Sequence, residues 1–379
     1  MDSPTRRRRR PALHRFPLRY LLMVPVLLAV LTGYALAIHS DTNTYMLYSQ
    51  CHARARLPWL SRMPVLGSLA CFLVSFFQAA VDSVRASGLM AVILSFVGGL
   101  LTVTTVEAAR ICNAPSALIA AFPTALWLVF DLVGGALVWQ LAIVPAFLRR
   151  DRDIIAARSQ GAGGGPPRLS GPADPTFGEA MRHLARGAAE TVAIPVAVTL
   201  GYVVPAALVL VLAHPVAVLV WLFFPVWVSL VRQAVRRVVL AVREGTSASL
   251  HLESNRMALI AVYALPVACS VLSHAYFIWT LTQPDDRREM TRSTLKFIAI
   301  QAFFVGMTVL YWILVEAGWR ALLVMVLASV VLGPGAGVCL GWVYREQMVD
   351  LDRSVTVVAV GSRRQSEDAE PSEETPLLR

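Results

Sequence analysis

Apolar runs long enough to cross a bilayer recur along this chain, and a run of about twenty apolar residues is what a membrane-spanning helix requires. They fall near residues 16–38, 64–80, 89–106, 116–147, 190–212, 215–231, 257–282, 297–315 and 321–343. The chain is 56% hydrophobic and only 15% charged, with a mean hydropathy of +0.61. A soluble domain carries about 25% charged residues, so this chain needs lipid as part of its solvent. The expected fold is all-α, a polytopic integral membrane protein with eight or nine transmembrane helices.

The net charge of +10 does not indicate nucleic acid, because the arginines lie in short segments between apolar runs, where they set orientation. Lys296 is the sole lysine. Five cysteines without CxxC or histidine-rich spacing argue against a disulfide framework and against a zinc site.

The runs divide the chain into five segments. Residues 1–15 form an arginine-rich cytosolic tail, and 16–148 a first transmembrane half. The tail's arginines and the length of the run from Phe16 favour a retained first helix over a cleaved signal peptide, although "ALA" at 35–37 resembles a cleavage site. Residues 149–188, with "QGAGGGPPRLSGPADP", read as a Gly/Pro-rich loop. Residues 189–344 form a second transmembrane half, with "VRQAVRRVVLAVREG" read as a basic interfacial helix. Residues 345–379 read as a disordered polar tail. No sequence repeat links the halves. Nine spans would put that tail opposite the amino terminus, whereas the terminal "EETPLL", similar to a dileucine sorting signal, would need an even count.

Within "ALWLVFDLVGGALVWQ", Asp131 is the only charge in the run 116–147. A charge at the bilayer centre costs about 2.5–3.5 kcal/mol on insertion scales. At helical spacing Trp127 lies one turn before it, Gly134 and Gly135 one turn after, and Trp139 two turns after. The helix would thus offer an acid between two indoles, with a glycine gap where another group can approach. The plainer alternative is a hydrogen bond between helices. Glu107 closes the preceding run, either paired with Arg110 or facing the same cavity as Asp131. Glu316 pairs by spacing with Arg320, and Glu190 suits the dipole at a helix start. His274 sits among aromatics in "SHAYFIW". No magnesium-binding, Walker, GxSxG, HExxH or dinucleotide motif is present.

Three stretches carry a family resemblance: "PVLGSLACFLVSFFQAAVDSV", "FVGGLLTVTTVEAARICNAPSALIAAFPTALWLVFDLVGGALVWQLAIVP", and the Gly/Pro loop after "FLRR". They resemble the fungal membrane-bound terpene cyclases of the macrophorin and ascofuranone pathways, and the integral membrane proteins encoded beside indole-diterpene genes. The resemblance is densest over residues 64–148. It implies an isomerase of fungal secondary metabolism that cyclises a farnesyl chain on a meroterpenoid by protonating an alkene or an epoxide, with no cofactor and no metal. The residues are consistent with that chemistry. Burial in an apolar site disfavours the charged form of a carboxyl group, which keeps a proton available for transfer, and aromatic faces steady the resulting cation.

The expected catalytic residues are therefore Asp131 and Glu107, with Trp127, Trp139 and His274 as substrate-binding residues. The expected partners are a lipophilic prenylated small molecule and membrane lipid, without nucleic acid. The expected location is a multi-pass position in the endoplasmic reticulum or another endomembrane. Two alternatives stand beside this reading: a transporter or receptor-like protein, and a non-catalytic membrane component of a biosynthetic cluster.

Overall fold

The computed structural model describes residues 16–40, 66–114, 119, 123–161, 184, 187–242, 252 and 255–347. Among these the regular elements are all helical, joined by one isolated bridge between Arg110 and Leu184. The first half holds α1 (Leu18–His39), α2 (Leu66–Ala80), α3 (Val84–Ala109) and α4 (Pro123–Val133). It continues through α5 (Gly135–Val138) and a π-turn at Trp139–Ile143 into α6 (Val144–Gly161). The second half holds α7 (Gly187–Val198), a π-turn at Thr199–Val203, α8 (Val204–Leu212), α9 (Pro215–Leu222) and α10 (Phe224–Val242). Then follow α11 (Arg256–Leu281), α12 (Glu289–Ala317), α13 (Trp319–Leu332) and α14 (334–347).

Five helices are long and apolar enough to cross a membrane: α1, α3, α7 with α8, α11 and α12. The α9–α10 pair, bent by 61°, makes a sixth if taken as one span. A helix that is apolar on all sides belongs inside a bundle. Accordingly α3 is 89% buried over its apolar window, whereas α1 is 22% buried and lies at the periphery. Even so, α1 is built into the bundle. Tyr311 of α12 donates to the Leu21 carbonyl at 2.7 Å, and Thr32 exchanges hydrogen bonds with the fully buried Gln140.

Hydrogen bonds at the helix ends define two faces. At one, Arg150 donates to the Cys112 carbonyl (2.6 Å) and Arg152 to the Phe16 carbonyl (2.7 Å), so the start of α1, the end of α3 and the body of α6 lie together. Glu190 in the first turn of α7 pairs there with Arg232 (2.8 Å) and Arg236 (3.5 Å) of α10. At the other face, Asp286 accepts from the Val84 amide (2.8 Å) while Ser83 caps the same helix through the Ala86 amide. The Val84 bond is the main reason the Asp286 carboxyl lies below the usual carboxylate range.

The runs 116–147 and 321–343 are not single spans. In a continuous helix Trp127 and Trp139 would be separated by about 18 Å. Their ring centroids lie 6.2 Å apart. The chain reverses at Gly134, whose φ of 133° is a conformation side-chain-bearing residues rarely adopt. The second reversal falls at Gly333, φ 92°. Beyond it Gly337 packs against Ser329 and Met325, and Gly341 against Met325, as two antiparallel legs require. The described part of each run is therefore a helical hairpin that returns to the face it left, and among the described residues five or six helices, not eight or nine, are long and apolar enough to span.

Other expectations change with the tertiary contacts. The basic stretch read as an interfacial helix is, as far as Val242, the continuation of α10. Helix α6 carries the chain to Gly161, inside the segment read as loop. Helix α14 runs to residue 347, and Arg345 and Glu346 are packed into the protein instead of opening a polar tail. Cys269 and Cys339 carry free thiols, while Cys71 is disulfide-bonded.

The hairpins occupy matching places. Each follows the last long helix of its half, and each tip is met by that helix of the opposite half. Gln301 of α12 touches the first tip, while Ser95 and Gly99 of α3 touch the second at Gly335. This structural repetition has no visible counterpart as a sequence repeat.

The hairpins fix which ends share a side. Single cysteines at Arg149 and at Gln347, both exposed, will label from the same side of a sealed vesicle with a membrane-impermeant thiol reagent, and one at Arg288 from the other. A straight final span would move the Gln347 signal to the Arg288 side.

Candidate functional site: a carboxyl at a glycine hairpin tip

Asp131 lies on the last turn of α4, three residues before the Gly134 reversal. Its Oδ2 is buried and has no hydrogen-bond partner, and among the described residues no arginine pairs with it. Trp127, one turn earlier, is buried against Trp139 (6.2 Å), Phe130 (4.8 Å) and Phe224 (5.9 Å). Phe224 in turn meets Tyr202 at 4.8 Å and Trp221 at 6.0 Å. The Tyr202 hydroxyl donates to the Leu94 carbonyl of α3 at 2.7 Å.

Two of these aromatics come from π-turns, Trp139 from the first and Tyr202 from the second. The extra residue in a π-turn rotates the following side chains about the helix axis, and such turns are frequent at functional sites. Trp139 is fully buried, and its indole Nε1 has no hydrogen-bond partner. The tip is open on one flank: Val133 is 75% exposed, and Asp131 as a whole is half-buried. Between the hairpin legs and α3 lies a cavity of about 20 Å³, lined by Thr104, Pro123, Leu126, Trp127, Ile143 and Phe147. Sites for drug-sized ligands are about 300–1,000 Å³, so this cavity is not a prenyl-sized hollow.

The hairpin brings Trp127 and Trp139 together, with Asp131 one turn beyond Trp127 on the same helix. Glu107 and His274 sit elsewhere. Glu107 is at the arginine-bearing face, where its Oε1 accepts from Arg110 (3.0 Å), Arg345 (2.9 Å) and the Trp342 indole (3.1 Å). Arg110 also pairs with Glu346, and Arg345 with Glu346 (3.2 Å) and Glu316 (2.6 Å). Glu316 therefore takes Arg345, together with the Trp312 indole at 2.7 Å, in place of Arg320, whose guanidinium lies over Trp319. His274 stands at the second tip. Its Nδ1 is buried and has no partner, beside Ser270 and the Gly333 turn.

An aromatic series joins the acid to this ionic cluster. It runs from Trp139 to Trp312 (6.1 Å), from Trp312 to Trp342 (4.4 Å), and on to Arg345 over the Trp342 ring (5.4 Å). The sequence reading missed Tyr202, Gln301, Trp342, Arg345 and Glu346. Gln301 had one legible signal, as the sole side-chain amide within α12. The other four gave none, because their partners are far away in the sequence.

These features define a class: an α-helical, multi-pass membrane protein with two glycine-tipped hairpins and a carboxyl group at one tip. Over residues 60–284, more than half of the chain, it matches the CtvD domain family, and it belongs to that family. The family comes from a fungal biosynthetic cluster, which is compatible with a membrane protein of fungal secondary metabolism. Neither a curated protein nor a solved structure matches the chain.

Breaking the ionic cluster tests its structural role. Removing one partner of a buried ion pair costs about 3–5 kcal/mol because the other charge is left unmatched. Arg345→Ala, which leaves Glu107 and Glu316 each short of a partner, will lower the thermal midpoint in detergent markedly. Arg345→Lys will recover only part of it, since an ammonium lacks the planar fork that spans several carboxylates.

Proposed function

We propose that this protein is a membrane-embedded acid catalyst that cyclises the prenyl chain of a lipophilic, meroterpenoid-type substrate, acting without a cofactor. Asp131 is the acid. Its carboxyl donates a proton to an alkene carbon or an epoxide oxygen. The resulting carbocation is attacked by a neighbouring double bond, and a proton is finally lost, so the product is an isomer of the substrate. The observation that carries this reading is the unpartnered Oδ2 of Asp131 at the hairpin tip. A structural carboxylate at such a depth needs a counter-charge or several donors, as Glu107 and Glu190 have.

Three further features support the reading. The rings of Trp139, Phe130 and Phe224 pack around Trp127, one turn from Asp131, and aromatic faces are suited to a cation. A prenyl chain dissolves in lipid, and the exposed flank at Val133 opens the tip to the bilayer. Membership of a family from a fungal biosynthetic cluster agrees with secondary metabolism in an endomembrane. The small cavity means that a farnesyl chain has to part the helices as it enters, so substrate access is a step of its own. Glu107, committed to two arginines, is the weaker candidate.

The test is a heterologous host fed a farnesylated phenol and its terminal epoxide. Wild-type membranes will form a cyclised isomer, and Asp131→Asn, nearly the same shape without an acidic proton, will lose turnover by at least about 100-fold, as loss of a general acid does. Normal turnover by Asp131→Asn would end this assignment.

A second reading has one observation in its favour. Broken helices in matching halves that meet near mid-membrane are a feature of transporters, and the two hairpins fit that description. Accumulation of the unmodified compound in proteoliposomes, without product, would favour transport over catalysis.

A further inference from the structure

The glycine gap beside Asp131 is filled from another helix. Gln301 stands mid-way along α12, and its Oε1 accepts from the Ala136 amide at 3.3 Å. A Cβ built on Gly134 would lie 3.2 Å from that oxygen and 3.3 Å from Nε2. The carboxamide thus occupies the place a side chain at 134 would take, next to the turn that carries Asp131. The first N–H groups of a helix have no partner within it, and in hydrocarbon an unmet N–H is costly. One such group of the returning leg is therefore satisfied only while the tip stays seated on α12. The Phe130 ring packs over Gly135 from the other side, which leaves the tip little freedom to rotate.

We propose that Gln301 is the positioning residue for Asp131: its amide oxygen pins the hairpin tip, and this pin fixes the direction in which the carboxyl points. The inference rests on the acid reading of Asp131. It further assigns α12, through Gln301, control over the geometry of a group carried by the other half of the molecule. Removing the pin leaves the binding surface in place and misaims the acid, so the loss falls on turnover and spares affinity.

The experiment uses the full chain in microsomes with the same farnesylated phenol and its epoxide, alongside Asp131→Asn. Gln301→Met keeps the length of the side chain and removes the acceptor. It will lower kcat about tenfold or more with KM within about twofold. Gln301→Glu keeps an acceptor and places a second carboxyl against the turn that carries the first. Two carboxyls sharing a site titrate as a pair, so this variant will retain most of the turnover and displace the pH–rate profile by about half a unit or more.

If Asp131→Asn is dead while Gln301→Met turns over normally and Gln301→Glu has the wild-type profile, the positioning role is overturned and the acid stands. If Asp131→Asn is active, the acid reading falls first and this inference falls with it. Should Gln301→Met fail to accumulate as folded protein, the pH profile of Gln301→Glu decides alone, and an unshifted profile overturns the proposal.

Discussion

Hydrocarbon offers no hydrogen bonds, and the structure is organised by that constraint. Every backbone polar group within the membrane has to be met by the protein itself, so a chain reversal at mid-depth is possible only where packing replaces water. Both reversals here occur at glycines with positive φ, and both tips are clasped by a long helix of the opposite half. At the first tip a side-chain amide meets a backbone N–H. At the second the Ser270 hydroxyl donates to the Leu332 carbonyl at 3.2 Å, and backbone lies against backbone at Gly99 and Gly335.

The same constraint sorts the acidic residues. Glu107, Glu190, Glu316 and Glu346 each have arginine partners near the arginine-bearing face, and they serve to join helices. Asp131 differs from them in having neither a cation nor a donor on its buried oxygen. A buried polar atom left unsatisfied is rare in folded proteins and calls for an explanation. The aromatic series from Trp127 to Trp342 then links the two kinds of site, one ionic and one not, through contacts between rings.

The hairpins also change how the halves relate. Each half contributes a tip that the other half holds, so neither tip is complete without both. Gln301 of α12 touches the turn that follows Asp131, so the position of α12 relative to α4 and α5 bears directly on that turn.

Much of this was legible from residue order. The apolar runs pointed to helical membrane segments, since an unbroken apolar run of this length satisfies its backbone in lipid as a helix, whereas the strands of a barrel alternate apolar and polar residues. Residue order singled out Asp131 as an isolated carboxyl with a tryptophan on either side, and the structure adds that the two rings meet because the chain doubles back, not because they share a face of one helix. Residue order alone could not show the doubling back. Hydropathy counts apolar residues and is blind to direction, so a hairpin with two apolar legs and a straight span look alike, and Gly134–Gly135 read as a packing notch. The partners of Glu107 and Glu316 were likewise beyond reach, because local i,i+3 and i,i+4 rules describe one helix while Arg345 arrives from another. Composition and periodicity thus determined the solvent and the element type. The tertiary structure alone decided which face each hairpin returns to, which carboxyl is left without a partner, and which distant amide sits beside it, since each depends on contacts between residues that the chain places far apart.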